Sequence, residues 1–199
     1  MLNKERLTKL VELLKERKID GCLMTPSHDL EYLTEAPGFT CERCRGLFVL
    51  SDGRYFSICP SLYYEETRSS LGEDTQIYVW TDSEGVTDSF IKADKDYDLA
   101  GKTLAINDGV RAIDLIDMGE HIKAKYSNGH SMFEDLRVIK TDEEVSYLKG
   151  AAQIADKAFE EIVKFIKPGI TEKDIANRLK ELLIELGGES LSFDPIVAS

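Results

Sequence analysis

Apolar residues at the front of the chain fall at three- and four-residue steps. Leu7, Leu10, Val11 and Leu14 predict an amphipathic helix over residues 6–18. The short apolar run over residues 21–25 predicts a buried strand, and Pro26-Ser27 opens a second helical piece over 28–33. Residues 34–45 hold Pro37 and Gly38 and little periodicity, so a loop is expected there. Apolar runs at 47–50 and 55–59 flank Asp52-Gly53, a hairpin signal because glycine accepts positive φ. Beyond the hairpin the pattern alternates: helix 62–71, strand 76–80, helix 88–95, strand 103–106. Asn107-Asp108 is expected to cap a helix over 110–121, with Ile113, Ile116 and Met118 as its apolar side. A short strand at 123–126 and a turn at 127–129 complete this half. Helices alternating with strands, one hairpin among them, predict an α/β fold with a mixed sheet flanked by helices.

The texture changes near residue 137. Val145, Leu148, Ala152, Ala155, Phe159, Ile162 and Ile166 predict one long helix, opened by the capping box Thr141-x-x-Glu144 and ended by Pro168-Gly169. Thr171 is expected to cap a second helix whose buried face is Ile175, Leu179, Leu182, Leu183 and Leu186, stopped by Gly187-Gly188. Residues 191–198 read as a strand with an unpaired edge. The division expected is residues 1–135 and residues 136–199. Two helices and a strand bury little by themselves, so their apolar stripes suggest self-association, and a homodimer is expected.

Charge narrows the function classes. The 199 residues carry a formal charge of −12 and a pI near 4.8. That balance repels nucleic acid and anionic membrane surfaces, and neither is expected as a partner. The N-terminal residues lack a signal-like apolar region, and no apolar run is long enough to span a bilayer, so a cytoplasmic location is expected. In that setting Cys22, Cys41, Cys44 and Cys59 are expected as reduced thiols.

Four blocks in the second half carry a family resemblance: Leu136-Arg-Val-Ile-Lys-Thr-Asp-Glu-Glu-Val145, Ala151-Ala-Gln-Ile-Ala-Asp156, Lys167-Pro-Gly-Ile-Thr-Glu172 and Ser192-Phe-Asp-Pro-Ile-Val-Ala-Ser199. Further matches lie at Arg6-Leu7, Ile19-Asp20-Gly21, Thr25-Pro26, Tyr32-Leu33-Thr34 and the Asp52-Gly53-Arg54 hairpin. In this order and spacing the chain resembles the prolidase, aminopeptidase P and creatinase family. The resemblance implies a creatinase-like N-terminal α/β domain, then two helices and one strand of an incomplete pita-bread catalytic domain. For a full-length parent it implies a Xaa-Pro metallopeptidase acting on Xaa-Pro peptides with two divalent metal ions, Mn, Co or Zn. The family's metal ligands would all lie beyond Ser199, so no metal and no catalytic residue is expected in this chain, which should be inactive alone. Its role would be oligomerisation and covering the active site. Two alternatives stand beside this: a non-catalytic pita-bread-type peptide- or protein-binding module, and a fragment of a creatinase-type amidinohydrolase.

The resemblance also implies where substrate contacts would lie. In related prolidases the loop at 34–45 looks across the dimer into the partner's active site. Glu42 and Arg43 match its acidic–basic pair, and a charge-assisted contact with a dipeptide terminus suits them. Cys41 stands where such prolidases often carry histidine, and Glu35-Ala36-Pro37 is an insertion. The alternative for Glu42-Arg43 is a solvated loop with a local ion pair. Cys41-Glu-Arg-Cys44 has the spacing of a thiolate pair, but Cys22 and Cys59 sit in separate predicted strands and supply no second pair. His28, His121 and His130 show no ligand spacing, Asp194 reads as a polar strand residue, and Trp80 and Tyr63-Tyr64 read as packing residues.

Overall fold

A computed structural model describes residues 1–36, 38 and 40–199; Pro37 and Phe39 of the expected 34–45 loop lie outside the described residues. The chain falls into two compact units, residues 1–139 and residues 140–199.

In the first unit, helix α1 (Lys4–Glu16) starts where the Asn3 side chain accepts the Arg6 N–H, and it buries Leu10, Val11 and Leu14. Strand β1 (Gly21–Met24) leads into helix α2 (His28–Thr34), which is capped by the Ser27 hydroxyl. Strands β2 (Gly46–Leu50) and β3 (Tyr55–Pro60) form the expected hairpin, with Gly53 at φ +92° in its turn. A 3-10 turn (Ser61–Tyr63) and helix α3 (Tyr64–Leu71) precede strand β4 (Gln76–Trp80), helix α4 (Thr87–Tyr97) and strand β5 (Thr103–Ile106). Helix α5 (Ala112–His121), strand β6 (Lys125–Asn128) and helix α6 (His130–Val138) complete the unit.

The six strands lie in the order β4-β3-β2-β1-β5-β6. The pairs β1/β2 and β2/β3 are antiparallel; β3/β4, β1/β5 and β5/β6 are parallel. Successive residues of a strand face opposite sides, and this splits the core in two. Cys22, Met24, Leu47, Val49 and Ala105 face α1, α2 and α6, while Leu23, Phe48, Leu50, Phe56 and Leu104 face α4 and α5.

Three expectations are corrected here. Asn107-Asp108 does not cap α5: Arg111 holds that position without a side-chain cap, because the Asn107 amide is taken up by the β1–α2 loop. Of the apolar side expected for α5 only Met118 is buried, and Ile113 and Ile116 face outward. Strand β6 starts two residues later than expected and absorbs Ser127-Asn128, so the turn expected at 127–129 reduces to Gly129, the residue before α6. The pattern reading did not resolve α6, although Met132, Phe133 and Leu136 give it an inward face.

The second unit is a helical hairpin with one short segment. Helix α7 (Asp142–Phe165) opens with the expected Thr141/Glu144 capping box, and helix α8 (Glu172–Glu185) with one formed by Thr171 and Asp174. Ala158, Ile162 and Leu182 are buried between them, packed by Phe165, Ile175, Leu179, Leu183 and Leu186. The inward face expected for α8 is therefore the one observed. That of α7 is not: only Ile162 of the expected set is buried, and Leu148, Phe159 and Ile166 lie exposed on a second stripe. The strand expected at 191–198 is not formed, because a strand needs a ladder partner and none of the described residues supplies one. Asp194 in that segment meets Lys180 at 2.6 Å.

Candidate functional site at the carboxyl ends of the central strands

After β1 the chain builds the sheet to one side as far as β4, then returns to lay β5 against the other side of β1. The loops leaving β1 and β5 therefore diverge, and in open α/β sheets this reversal point is where a crevice forms. Here the protein's own groups close it. Asn107, only 3% exposed, accepts the Thr25 N–H at 3.1 Å and donates to the Ser27 hydroxyl at 2.6 Å and the Thr25 carbonyl at 3.3 Å. A Cβ at position 109 would sit 2.9 Å from the Pro26 carbonyl and 3.0 Å from the Thr25 hydroxyl, so only glycine lets the two loops lie this close.

The loop bearing Glu42 and Arg43 rims this junction and is pinned along its length. Thr40 donates to the Pro26 carbonyl at 3.3 Å, and Trp80 donates its indole N–H to the Cys44 carbonyl at 3.0 Å. The buried Arg45 guanidinium lies 4.1 Å over the Tyr63 ring and 3.6 Å from Glu66. Arg111 grips Asp114 through two bonds of 2.9 and 2.7 Å beside it.

Arg43 is engaged in the same way. Its Nε and Nη2 donate to the two carboxylate oxygens of Asp82, at 3.0 and 2.8 Å, and its Nη1 donates to Glu42. Hydrogen bonding to Asp82 raises the Arg43 pKa, and the reciprocal bond holds the Asp82 carboxyl below its ordinary value. Glu42 keeps a side chain 72% exposed. Both sequence candidates therefore sit on one loop, with Arg43 turned back into the fold and Glu42 facing out. Asp82 was not legible in the sequence, because nothing in the spacing ties it to a residue 39 positions earlier.

The thiols do not form a thiolate pair. Burial pushes the Cys44 pKa up to about 12, and the same cause acts on Cys22, also to about 12, and on Cys59. Cys41 accepts a long contact of 3.8 Å from the Tyr63 hydroxyl. The histidines are dispersed: His28 meets Glu31 at 3.3 Å, His121 lies against the Phe90 ring, and His130 bridges Asp108 and Glu134 through its two nitrogens.

Hydrogen bonding to Asp108 raises the His130 pKa above its ordinary value of 6.5. A raised folded-state value means that the contact stabilises the fold below the unfolded pKa, and that this contribution is lost as pH rises through the folded one. We expect His130 to titrate above the ordinary histidine range in an NMR pH series, and Asp108→Asn to bring it down. An unchanged midpoint in that variant would show that the 2.8 Å contact is not formed in solution.

Among the described residues no group of three or more His, Cys, Asp or Glu side chains could hold a metal ion. The carboxylates of Asp108 and Glu134 approach opposite nitrogens of His130, so they do not converge on one point. The described residues do not fit a two-metal centre.

The architecture of the first unit and its loop constellation are those of a known domain class. Residues 6–139 match the model of the creatinase/prolidase N-terminal domain, and residues 146–199 match that of metallopeptidase family M24. The chain belongs to the creatinase/prolidase family. It is 31% identical over 202 residues to an uncharacterized peptidase of Bacillus subtilis, YqhT, covering 98% of this chain and 53% of that protein. Among solved structures it is similar to a dipeptidase from Pyrococcus horikoshii OT3 (TM-score 0.85, 32% identity, 96% of this chain and 52% of that one). It is also similar to a Xaa-Pro dipeptidase from Bacillus anthracis (TM-score 0.76, 30% identity, 96% and 51%). The chain spans about half the length of the curated relatives it matches.

Proposed function

We propose that this chain serves as the N-terminal portion of a Xaa-Pro dipeptidase- or aminopeptidase-like metallopeptidase, contributing to oligomerisation and to covering an active site, and that it is inactive by itself. The observation that carries the reading is the succession of the two family matches along one chain, joined to likeness with a Xaa-Pro dipeptidase over 96% of its residues. What supports the reading of inactivity is the donor set. The two divalent ions expected of the family, Mn, Co or Zn, have no ligand group among the described residues, and no chemical step is assigned to them here. Among the described residues no helix is long and apolar enough to cross a membrane.

Within that role the loop geometry divides the work between the two candidate residues. Glu42, with most of its side chain in solvent, is the group able to meet the amino terminus of a peptide in a partner's site. Arg43 holds the loop in place through Asp82, because a guanidinium whose fork is filled by a carboxylate has little left to offer a ligand.

The test is the intact mass of the natural gene product, followed by metal analysis and Xaa-Pro dipeptide hydrolysis on its longest form. The longest form should cleave the dipeptide, the 199-residue chain should not, and Arg43→Ala in the longest form should raise KM. Cleavage by the 199-residue chain supplied with Mn, Co or Zn would overturn the assignment of inactivity. A longest form that binds Xaa-Pro peptide without cleaving it would favour a binding module instead.

A further inference from the structure

Strand β6 lies at one edge of the sheet, and its last residue, Asn128, is followed by Gly129. The chain has four asparagines, Asn3, Asn107, Asn128 and Asn177, and only Asn128 precedes a glycine. Asparagine is thermolabile because the backbone nitrogen of the next residue can attack its amide carbon, and a next residue without a Cβ hinders that attack least. The fold does not admit a bulkier successor here. A Cβ at position 129 would stand 2.7 Å from the Phe133 ring and 2.8 Å from the Ile106 carbonyl oxygen.

The two reacting groups are held in opposite ways. Asn128 is exposed, and its side-chain oxygen accepts the His130 N–H at 2.8 Å, at the amino end of α6. A donor on that oxygen makes the amide carbon more electrophilic and stabilises the charge that attack would place on the oxygen. The nucleophile is withheld. Gly129, itself buried, donates its N–H to the Ile106 carbonyl at 2.9 Å, just past the last β5/β6 pair of Ile106 with Asn128. That bond closes the end of a four-residue edge strand whose other side has no strand among the described residues, and such ends open at low cost.

We propose that Asn128 is a site of spontaneous deamidation, locked by the hydrogen bond between Gly129 and Ile106 and released when the end of β6 opens. In the open state the Gly129 nitrogen bonds to Asn128 Cγ. The Cγ–Nδ2 bond breaks, the Gly129 proton leaves with Nδ2 as ammonia, and a cyclic imide remains. Water then adds to either imide carbonyl, giving aspartate or isoaspartate at position 128; no oxidant, reductant or enzyme enters. Aspartate keeps an acceptor for the His130 N–H and places its charge at the amino end of α6, where the helix dipole favours it. Isoaspartate routes the main chain through the former side chain and lengthens it by a methylene, which disrupts the register between Ile106 and the start of α6.

Peptide mapping of the 199-residue chain at mildly alkaline pH, folded and in concentrated urea, tests the proposal beside hydrogen exchange of the Gly129 amide. Asn128 should convert ahead of Asn3, Asn107 and Asn177, yield both aspartate and isoaspartate, and react about tenfold or more slowly in the folded chain than in the unfolded one. Phe133→Ala removes the ring beside Gly129. It should speed conversion in the folded chain by the same factor as Gly129 exchange and leave the rate in concentrated urea unchanged. Low urea concentrations that leave the wild-type chain folded should raise the two rates together, which keeps the comparison if Phe133→Ala does not fold. Equal rates in folded and unfolded chains, earlier conversion of another asparagine, or conversion that does not follow Gly129 exchange overturns the proposal. None of these readouts involves peptidase activity, so failure here is separate from failure of the functional assignment.

Discussion

Phe56→Ala lowers the stability of the first unit by about 4 kcal/mol, within the range for emptying a fully buried phenylalanine site. Phe56 has no exposed surface and lies at the centre of an aromatic group. Its ring stacks on Phe48 at 4.6 Å, meets Tyr78 edge-on at 5.6 Å and lies 4.2 Å from Tyr97. These contacts tie β2, β3, β4 and α4 together, so truncation removes both the transfer energy of one ring and three ring–ring interactions, each about 1 kcal/mol. Against a total of about 5 to 15 kcal/mol for a domain, a loss of this size leaves a much reduced folded margin. Urea unfolding followed by Trp80 fluorescence measures it cleanly, because Trp80 is the sole tryptophan and belongs to the same cluster. A loss below about 2 kcal/mol would mean that the neighbouring rings collapse into the space and that the aromatic group is not close-packed.

Asn107→Leu costs about 3 kcal/mol, for a different reason: the leucine fills a similar volume but leaves the buried Thr25 N–H without its acceptor and the Thr25 carbonyl and Ser27 hydroxyl without the amide that donates to them. Thr25 loses the acceptor for its N–H, and Ser27 loses the short bond to the Asn107 amide nitrogen. Asp29 loses a weaker contact from the same amide at 3.4 Å and keeps its ion pair with Arg137 at 3.0 Å. Because the side chain bridges the ends of β1 and β5, the loss should appear locally as well. Hydrogen exchange of the Thr25 amide should accelerate more than that of amides in β2 and β3. Uniform acceleration across the unit would instead indicate that Asn107 acts only through global stability.

Most of the regular elements were legible because each carried a local signal. The Asp52-Gly53 hairpin, the Thr141/Glu144 box and the apolar positions of α1 and α8 state their structure within a few residues. The misreadings occurred where a residue's partner is distant in sequence. Asn107 has the chemistry of a helix cap, and it spends that chemistry on a loop 80 positions earlier. On α7 the periodicity marked two apolar stripes as one, since Ile162 and Phe159 lie three residues apart and only contact with α8 decides which is buried. Glu42 and Arg43 came from a family pattern, and the grip of Asp82 on Arg43 is a tertiary fact that no window of sequence contains. The strand expected over 191–198 illustrates the same limit, because β-propensity cannot form a ladder without a neighbour.

The unequal shielding of the four thiols gives the Glu42-Arg43 loop its own handle for spectroscopy. Cys22 and Cys59 are enclosed, and the elevated pKa of Cys44 keeps it a poor nucleophile at neutral pH. Cys41, partly accessible and next to Glu42, is left as the site at which a maleimide dye or spin label attaches first. A label there reports on the movement of the loop without any substitution in the chain, and the phenol of Tyr63 beside it would register in the label's environment.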